Sequence, residues 1–269
     1  MAAIGEDLFS SVNAKLVRAR RQAADLDAEI GAYAAALNLD VRNEFFPDRR
    51  GYKQIVTGIQ PGEFPADIAV RMGECVHNLR SALDNCAFSL SRMHYDPPPN
   101  AKDVAFPICE TAVEFARRRA KALGQMSGDH ASLIETIQPY HLERPEKDPL
   151  LWLSRYSNSD KHRIPPLVSG AFLDAAHEGE MDFVEEAEPG SNPEKEVQTD
   201  VPGDFPVIGQ PIMVVRTRRT IRSIKAALIV RYRFAVEIDG QILPVGLVTE
   251  GMIRAVDGAV ELLRGPTGP

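Results

Sequence analysis

Two short stretches concentrate the residues able to do chemistry. The first, "GECVHNLRSALDNCAFSL", runs from Gly73 to Leu90. At ~100° per residue, His77, Arg80, Ser81 and Asp84 fall on one helical face and Leu79, Cys86 and Leu90 on the other. An ordinary solvated helix face is built from Lys, Glu and Gln. This one uses His, Asn, Arg, Ser and Asp, which are poorer helix formers with directional hydrogen bonding. Gly73, on the same side, costs about 1 kcal/mol relative to Ala inside a helix, so something is expected to approach closely there. The second stretch, "RYSNSDKHR", groups Arg155, Asn158, Asp160, Lys161, His162 and Arg163 at a helix end, just before Pro165 and Pro166.

Two chemistries are open to these residues. In the catalytic one, His162 is the acid–base group near neutral pH, Arg155 and Arg163 stabilise a pentavalent phosphate, and His77, also counted as catalytic, joins Arg80 and Asp84 as a partner from the other helix. Arg80, Arg163, Lys161, Asp84, Asp160 and Asn158 then bind the substrate, which is RNA or another phosphate-bearing ligand. In the structural one, the same groups lock helices together. Asp84 faces Lys161 or Arg163, and Asp160 faces Arg80 or His77, while basic side chains satisfy carbonyls at the helix C-terminus. Either way the "HNLRSALD" face is expected to meet the "NSDKHR" turn rather than bulk water. No metal site and no cofactor are expected. His77 and Asp84 stand ~10 Å apart along a helix axis, too far to share one ion. There is no Cys-x-x-Cys, His-Glu-x-x-His, P-loop, Gly-x-Ser-x-Gly or Gly-x-Gly-x-x-Gly pattern.

The elements that must position these residues follow from periodicity. Phe9, Val12, Leu16, Ala19, Ala23, Leu26, Ile30, Tyr33 and Leu37 recur in steps of three and four, a heptad seam that predicts one long helix over residues 5–38. Ile68, Met72, Cys75, Leu79, Leu83, Cys86 and Leu90 predict a second over 67–93, stopped by "YDPPPN". Such seams pack on each other or on a second copy, so a homo-oligomer through the helix seams is expected. A strand is predicted near 52–60, and shorter helices over 111–124, 129–137 and 146–157. After Pro166 the period becomes two. Strands are predicted near 167–173, 181–186, 211–217 and 226–238, the last ending in the turn "IDGQ", and then a helix over 246–263. The acidic, Pro-rich stretch 187–206 is expected to be a loop or partly disordered, outside the core.

The class is therefore α+β: a long-helix, coiled-coil-like helical core plus a mostly antiparallel sheet and a C-terminal helix. The helical core is assigned to residues 1–165, with its short strand near 52–60. The sheet and C-terminal helix, packed on that core, take 166–264, and 265–269 form a tail. At 269 residues, 44% hydrophobic and 26% charged, the chain is long enough for a sizeable core. No apolar run is long enough to span a bilayer, and "MAAIGEDLF" is acidic where a signal peptide is basic, so a cytoplasmic, non-membrane protein is expected. Cys75 and Cys86, on one helix ~16 Å apart, are expected to be buried hydrophobes rather than a disulfide. Charge is partitioned. Residues 174–204 hold eleven acids and one lysine, while residues 205–236 hold seven cations and no acid. The two are expected to neutralise each other within the fold.

The series "HNLRSALD" (77–84), "FPI" (106–108), "QPY" (138–140) and "DKHR" (160–163) resembles a widespread family of uncharacterised bacterial proteins. The resemblance spans roughly residues 50 to 170 and implies a shared site without supplying an activity. Arg155 and His162, with six residues between them, are also similar to the Arg-x4–6-His motif of the HEPN superfamily. Its members are helical, often dimeric, and many are metal-independent ribonucleases. Tyr156 departs from that pattern, which usually has a polar residue directly after the Arg. The favoured reading is a non-catalytic interaction or oligomerisation protein whose polar motifs lock helices together. The alternative is a HEPN-like ribonuclease using Arg155 and His162.

Overall fold

A computed structural model describes residues 8–60, 67–160, 167–186, 197–200 and 207–265. The chain is α+β and divides into two units, each made of non-contiguous segments. The helical unit comprises 1–29, 66–167 and 236–269; the sheet unit comprises 30–65 and 168–235. This division differs from a boundary at 165/166. The strand near 52–60 belongs to the sheet unit, and the C-terminal helix belongs to the helical one.

In the helical unit, α1 (Ser10–Ala36, whose last turns belong to the sheet unit) and α2 (Asp67–Arg92) lie antiparallel. Lys15 Nζ donates to Asn78 Oδ1 at 3.0 Å, and Gln22 Nε2 to Glu74 Oε2 at 2.9 Å. Arg71 pairs with Glu29 at 3.0 Å. Val12, Leu16, Ala19, Ala23 and Leu26 of α1 are buried within the one chain, as are Met72, Cys75, Leu79, Leu83, Cys86 and Leu90 of α2. Ala19 is small enough to let Cys75 Sγ donate to its carbonyl at 3.4 Å. Three shorter helices follow: α3 (Ala112–Leu123), α4 (Gly128–Thr136) and α5 (Pro149–Asp160). Their starts are set by capping. Thr111 Oγ1 accepts from Glu114 N, Ser127 Oγ from His130 N, and Asp148 Oδ1 from Leu150 N. The C-terminal α6 (Val245–Arg264) buries Val248, Met252, Val256, Val260 and Leu263 and packs on α2 and α5. Leu247, in its first turn, is exposed.

The sheet unit contains a four-stranded antiparallel sheet. Its strands are β1 (Asn38–Phe45), β2 (Gly51–Gln60), β4 (Val197–Asp200) and β5 (Pro211–Thr217), in the order β1-β2-β5-β4. Two expectations are corrected here. The first helix ends at Ala36 and β1 begins at once, and the stretch expected to be a loop carries β4, whose Thr199 pairs with Val215. The rest of that stretch, 187–196 and 201–206, lies outside the described residues. Tyr52, Val56, Ile212, Met213, Val215 and Ile221 form the core on this sheet. Arg49 ties the β1–β2 turn to the start of the strand that opens at Ile221, because its guanidinium donates to the carbonyls of Ile221 and Arg222, each at 2.9 Å.

A third correction concerns the strand pair expected at 167–173 and 181–186. It is one strand, β3 (Leu167–Phe183), beside β6 (Ile221–Ile238). The far end of β6, in the helical unit, turns into β7 (Gln241–Pro244). Asp239 and Gly240 make that turn with φ of 50° and 76°, the left-handed pair of a type I′ hairpin. The charge partition is partly resolved by pairing within the sheet unit. Asp182 meets Arg222 at 3.5 Å, and Glu185 accepts from both Thr220 N and Thr220 Oγ1 at 2.7 Å. The Thr220 hydroxyl holds the Glu185 carboxyl below its ordinary range. No helix among the described residues is long and apolar enough to cross a membrane.

Candidate functional site

The site is assembled around an extended segment, Val104 to Cys109, that runs through the helical unit without a strand partner. Phe106, Ile108 and Cys109 are buried, so its backbone groups need partners from side chains. The polar motifs supply them. Asp84 Oδ1 accepts from Phe106 N at 2.9 Å and from Arg80 Nη2 at 2.9 Å. Arg80 Nη2 also donates to the Phe106 carbonyl. Arg80 and Asp84, one helical turn apart on α2, therefore clasp both backbone groups of one residue. Gln138 holds the segment further along, at two of its residues. Its Oε1 accepts from Cys109 N at 2.9 Å, and its Nε2 donates to the carbonyls of Pro107 and Ile134, each at 2.9 Å. Only 2% of Gln138 is exposed, so these bonds are made in a water-poor setting.

The other residues singled out by sequence divide into four groups. His77 is exposed, and its Nε2 lies 3.4 Å from Ser81 Oγ. Arg155 is one-fifth exposed, and its guanidinium is engaged by two carboxylates, Glu110 at 2.9 Å and Asp239 at 2.8 Å. Asn158 lines a cleft of about 320 Å³ together with Arg80 and Asp84, so the "HNLRSALD" face and the start of the "NSDKHR" motif do come together. Lys161, His162 and Arg163, and the side chain of Asp160, lie outside what is described. The pairings expected between them and the α2 face lie there too. What is described of Asp84 is its use on Arg80 and on the Phe106 amide.

Several participants escape a motif-by-motif reading. Gln138 shows in the sequence only as part of "QPY", and a buried Gln before a proline carries no signal of its own. Ser154, Ser157 and Asn158 share one face of α5 at i, i+3 and i+4 spacing, a pattern that was available. Glu110 and Asp239, the partners of Arg155, are 45 and 84 residues away in sequence, and nothing local announces them.

Among the described residues no group of three His, Cys, Asp or Glu side chains could hold a metal ion. The cysteines are buried and free. Burial pushes the Cys75 and Cys86 thiols up to about 12 and the Cys109 thiol up to about 11. Thiolate is the reactive form. All three thiols of the native protein are therefore expected to react with a disulfide reagent about a hundredfold more slowly than in denaturant. Immediate titration of any one of them without denaturant would contradict its placement.

Comparison with family models, with curated proteins and with solved structures finds no match for this chain.

Proposed function

We propose that the protein is a non-catalytic interaction module whose polar motifs fix the arrangement of the helical unit. The observation that carries this reading is where the motif side chains end. Arg80 and Asp84 finish on the backbone of Phe106, and Gln138 on the backbone of Pro107, Cys109 and Ile134. Arg155, the guanidinium a ribonuclease reading needs for phosphate, is held between Glu110 and Asp239. A phosphate reaching it would meet two carboxylates and lose more to repulsion than a free arginine offers. Any surface for a partner or a second copy lies away from the α1 and α2 seams, because those residues are buried within one chain.

The test is an RNA-cleavage assay in the presence of a chelator. Wild type, Arg155→Ala and His162→Ala are expected to be indistinguishable from buffer. Metal-independent cleavage by wild type that both substitutions abolish would overturn the reading in favour of a HEPN-like ribonuclease.

A further inference from the structure

In the sheet unit, β1 is an edge strand, and its outer edge has no strand partner among the described residues. Its pairing with β2 fixes which backbone groups point outward. Phe46 N donates to the Gly51 carbonyl at 3.1 Å, and on the far side of β2 Thr217 N donates to the Arg50 carbonyl at 3.1 Å. Alternation from these two bonds turns the backbone groups of Arg42 and Glu44 toward β2. It leaves the N–H and C=O of Val41, Asn43 and Phe45 on the open edge. Arg42, Asn43 and Glu44 are all exposed although successive side chains point to opposite faces, so neither face is covered there. Val41 and Phe45 are only partly buried, at the rim of the core formed by Tyr52, Val56 and Val215. A free strand edge flanked by partly wet apolar side chains is a template for another strand.

We propose that a second copy of this chain pairs here, β1 against β1, antiparallel about a two-fold axis through Asn43. The residues of the strand select that occupant. In this register Val41 of each copy lies opposite Phe45 of the other, in pairs that exchange backbone hydrogen bonds. Asn43 meets its own copy, beside Gln54, whose Nε2 donates to Asn43 Oδ1 at 3.1 Å. On the other face each Arg42 lies opposite the partner's Glu44. Within one chain Arg42 and Glu44 meet only at 3.5 Å, with both side chains more than half exposed, so that pair holds neither firmly. Between two copies the four charges alternate in sign around the axis. Neighbouring registers fail. Centring on Arg42 sets it against itself and Asp40 against Glu44, and centring on Glu44 sets two carboxylates together. A one-residue slip puts Val41 opposite Glu44. Centring on Val41 runs the ladder across the irregularity between Asp40 and Val41. The same charges therefore guard the edge against unspecific pairing and admit one partner. The proposal rests on the interaction-module reading and names its partner.

Sedimentation equilibrium of the full chain tests it. A dimer with a dissociation constant on the order of 10 μM is expected, because a single strand pair buries less than a standard interface. Arg42→Glu and Glu44→Arg each place like charges opposite one another, and each is expected to weaken the dimer by at least about tenfold. Both positions are exposed, so the circular dichroism of the variants should match that of the parent. An equimolar mixture of the two single variants restores opposite charges at both pairs, and it should form a mixed dimer of parental affinity. The variant carrying both substitutions should dimerise with itself. A parent that stays monomeric at about 200 μM would overturn the proposal. So would a dimer that neither single substitution weakens, or one that mixing does not restore. RNA cleavage in the separate assay would overturn the non-catalytic reading and leave these outcomes unchanged. A monomeric parent that cleaves no RNA would overturn the second-copy proposal alone.

Discussion

Replacing Gln138 with leucine is expected to destabilise the helical unit by about 4 kcal/mol. Leucine fills nearly the same space, so no cavity term enters. What is lost is polar satisfaction. The Cys109 N–H and the Pro107 and Ile134 carbonyls, all bonded to Gln138 at 2.9 Å, are left without that partner beside a side chain only 2% exposed. Each orphaned buried group costs about 1–3 kcal/mol, and some relaxation or water entry recovers part of the sum. Gln138→Glu separates the contributions. It keeps an acceptor for Cys109 N but turns a carboxylate toward two carbonyls. Those carbonyls favour the protonated carboxyl in the folded state and raise its pKa there. The variant should therefore be unstable at neutral pH and regain stability as pH falls through the raised folded-state value toward the ordinary carboxylate range of the unfolded chain. Urea unfolding across pH reads both effects. A loss under 1 kcal/mol in the leucine variant would show that the segment is held by other means.

Gly51→Ala is expected to cost about 3 kcal/mol or more, this time in the sheet unit. Gly51 opens β2 with φ of 147°, a conformation that L side chains rarely adopt. A Cβ there would run into the Val215 carbonyl and the Phe46 ring. The ring is flanked by Lys53 and Arg216 over its faces, and the carbonyl belongs to β5, the strand that pairs with β2. Neither neighbour yields without disturbing the Gly51–Arg216 and Tyr52–Val215 register. Thermal unfolding within about 2 °C of the parent would contradict this placement, since a 3 kcal/mol loss shifts the midpoint by several degrees.

The long helices were legible because burial on one side repeats every three to four residues, and that signal survives over 27 and 26 residues. The β6–β7 turn was legible because Asp-Gly demands its own backbone geometry. β1 was not, for its alternating positions are polar: "NLDVRNEF" interleaves partly buried Leu39 and Val41 with Asp40 and Arg42, and the helical seam runs up to Leu37. β4 is four residues in an acidic stretch, and pairing with β5 rather than its own composition makes it a strand. At the site, Arg80 and Asp84 were visible as a face of unusual composition. Their partner, the backbone of Phe106, was not, because a backbone group leaves no trace in residue types. Arg155 stood out as a catalytic type, and its two carboxylate partners lie too far along the chain to be paired with it by spacing.

Amide hydrogen exchange at Phe106 and Cys109 tests the central claim, that the motif side chains are latches on the Val104–Cys109 segment. In the wild type both amides are expected to exchange only with global unfolding, although neither belongs to a helix or a strand. Asp84→Ala should release the Phe106 amide while Cys109 stays more protected. The expected loss at Phe106 is about 2 kcal/mol, near thirtyfold in exchange rate, below that of a fully buried charge because Asp84 is 38% exposed. Rapid exchange at both amides in the wild type, or unchanged protection of Phe106 in the variant, would contradict the account.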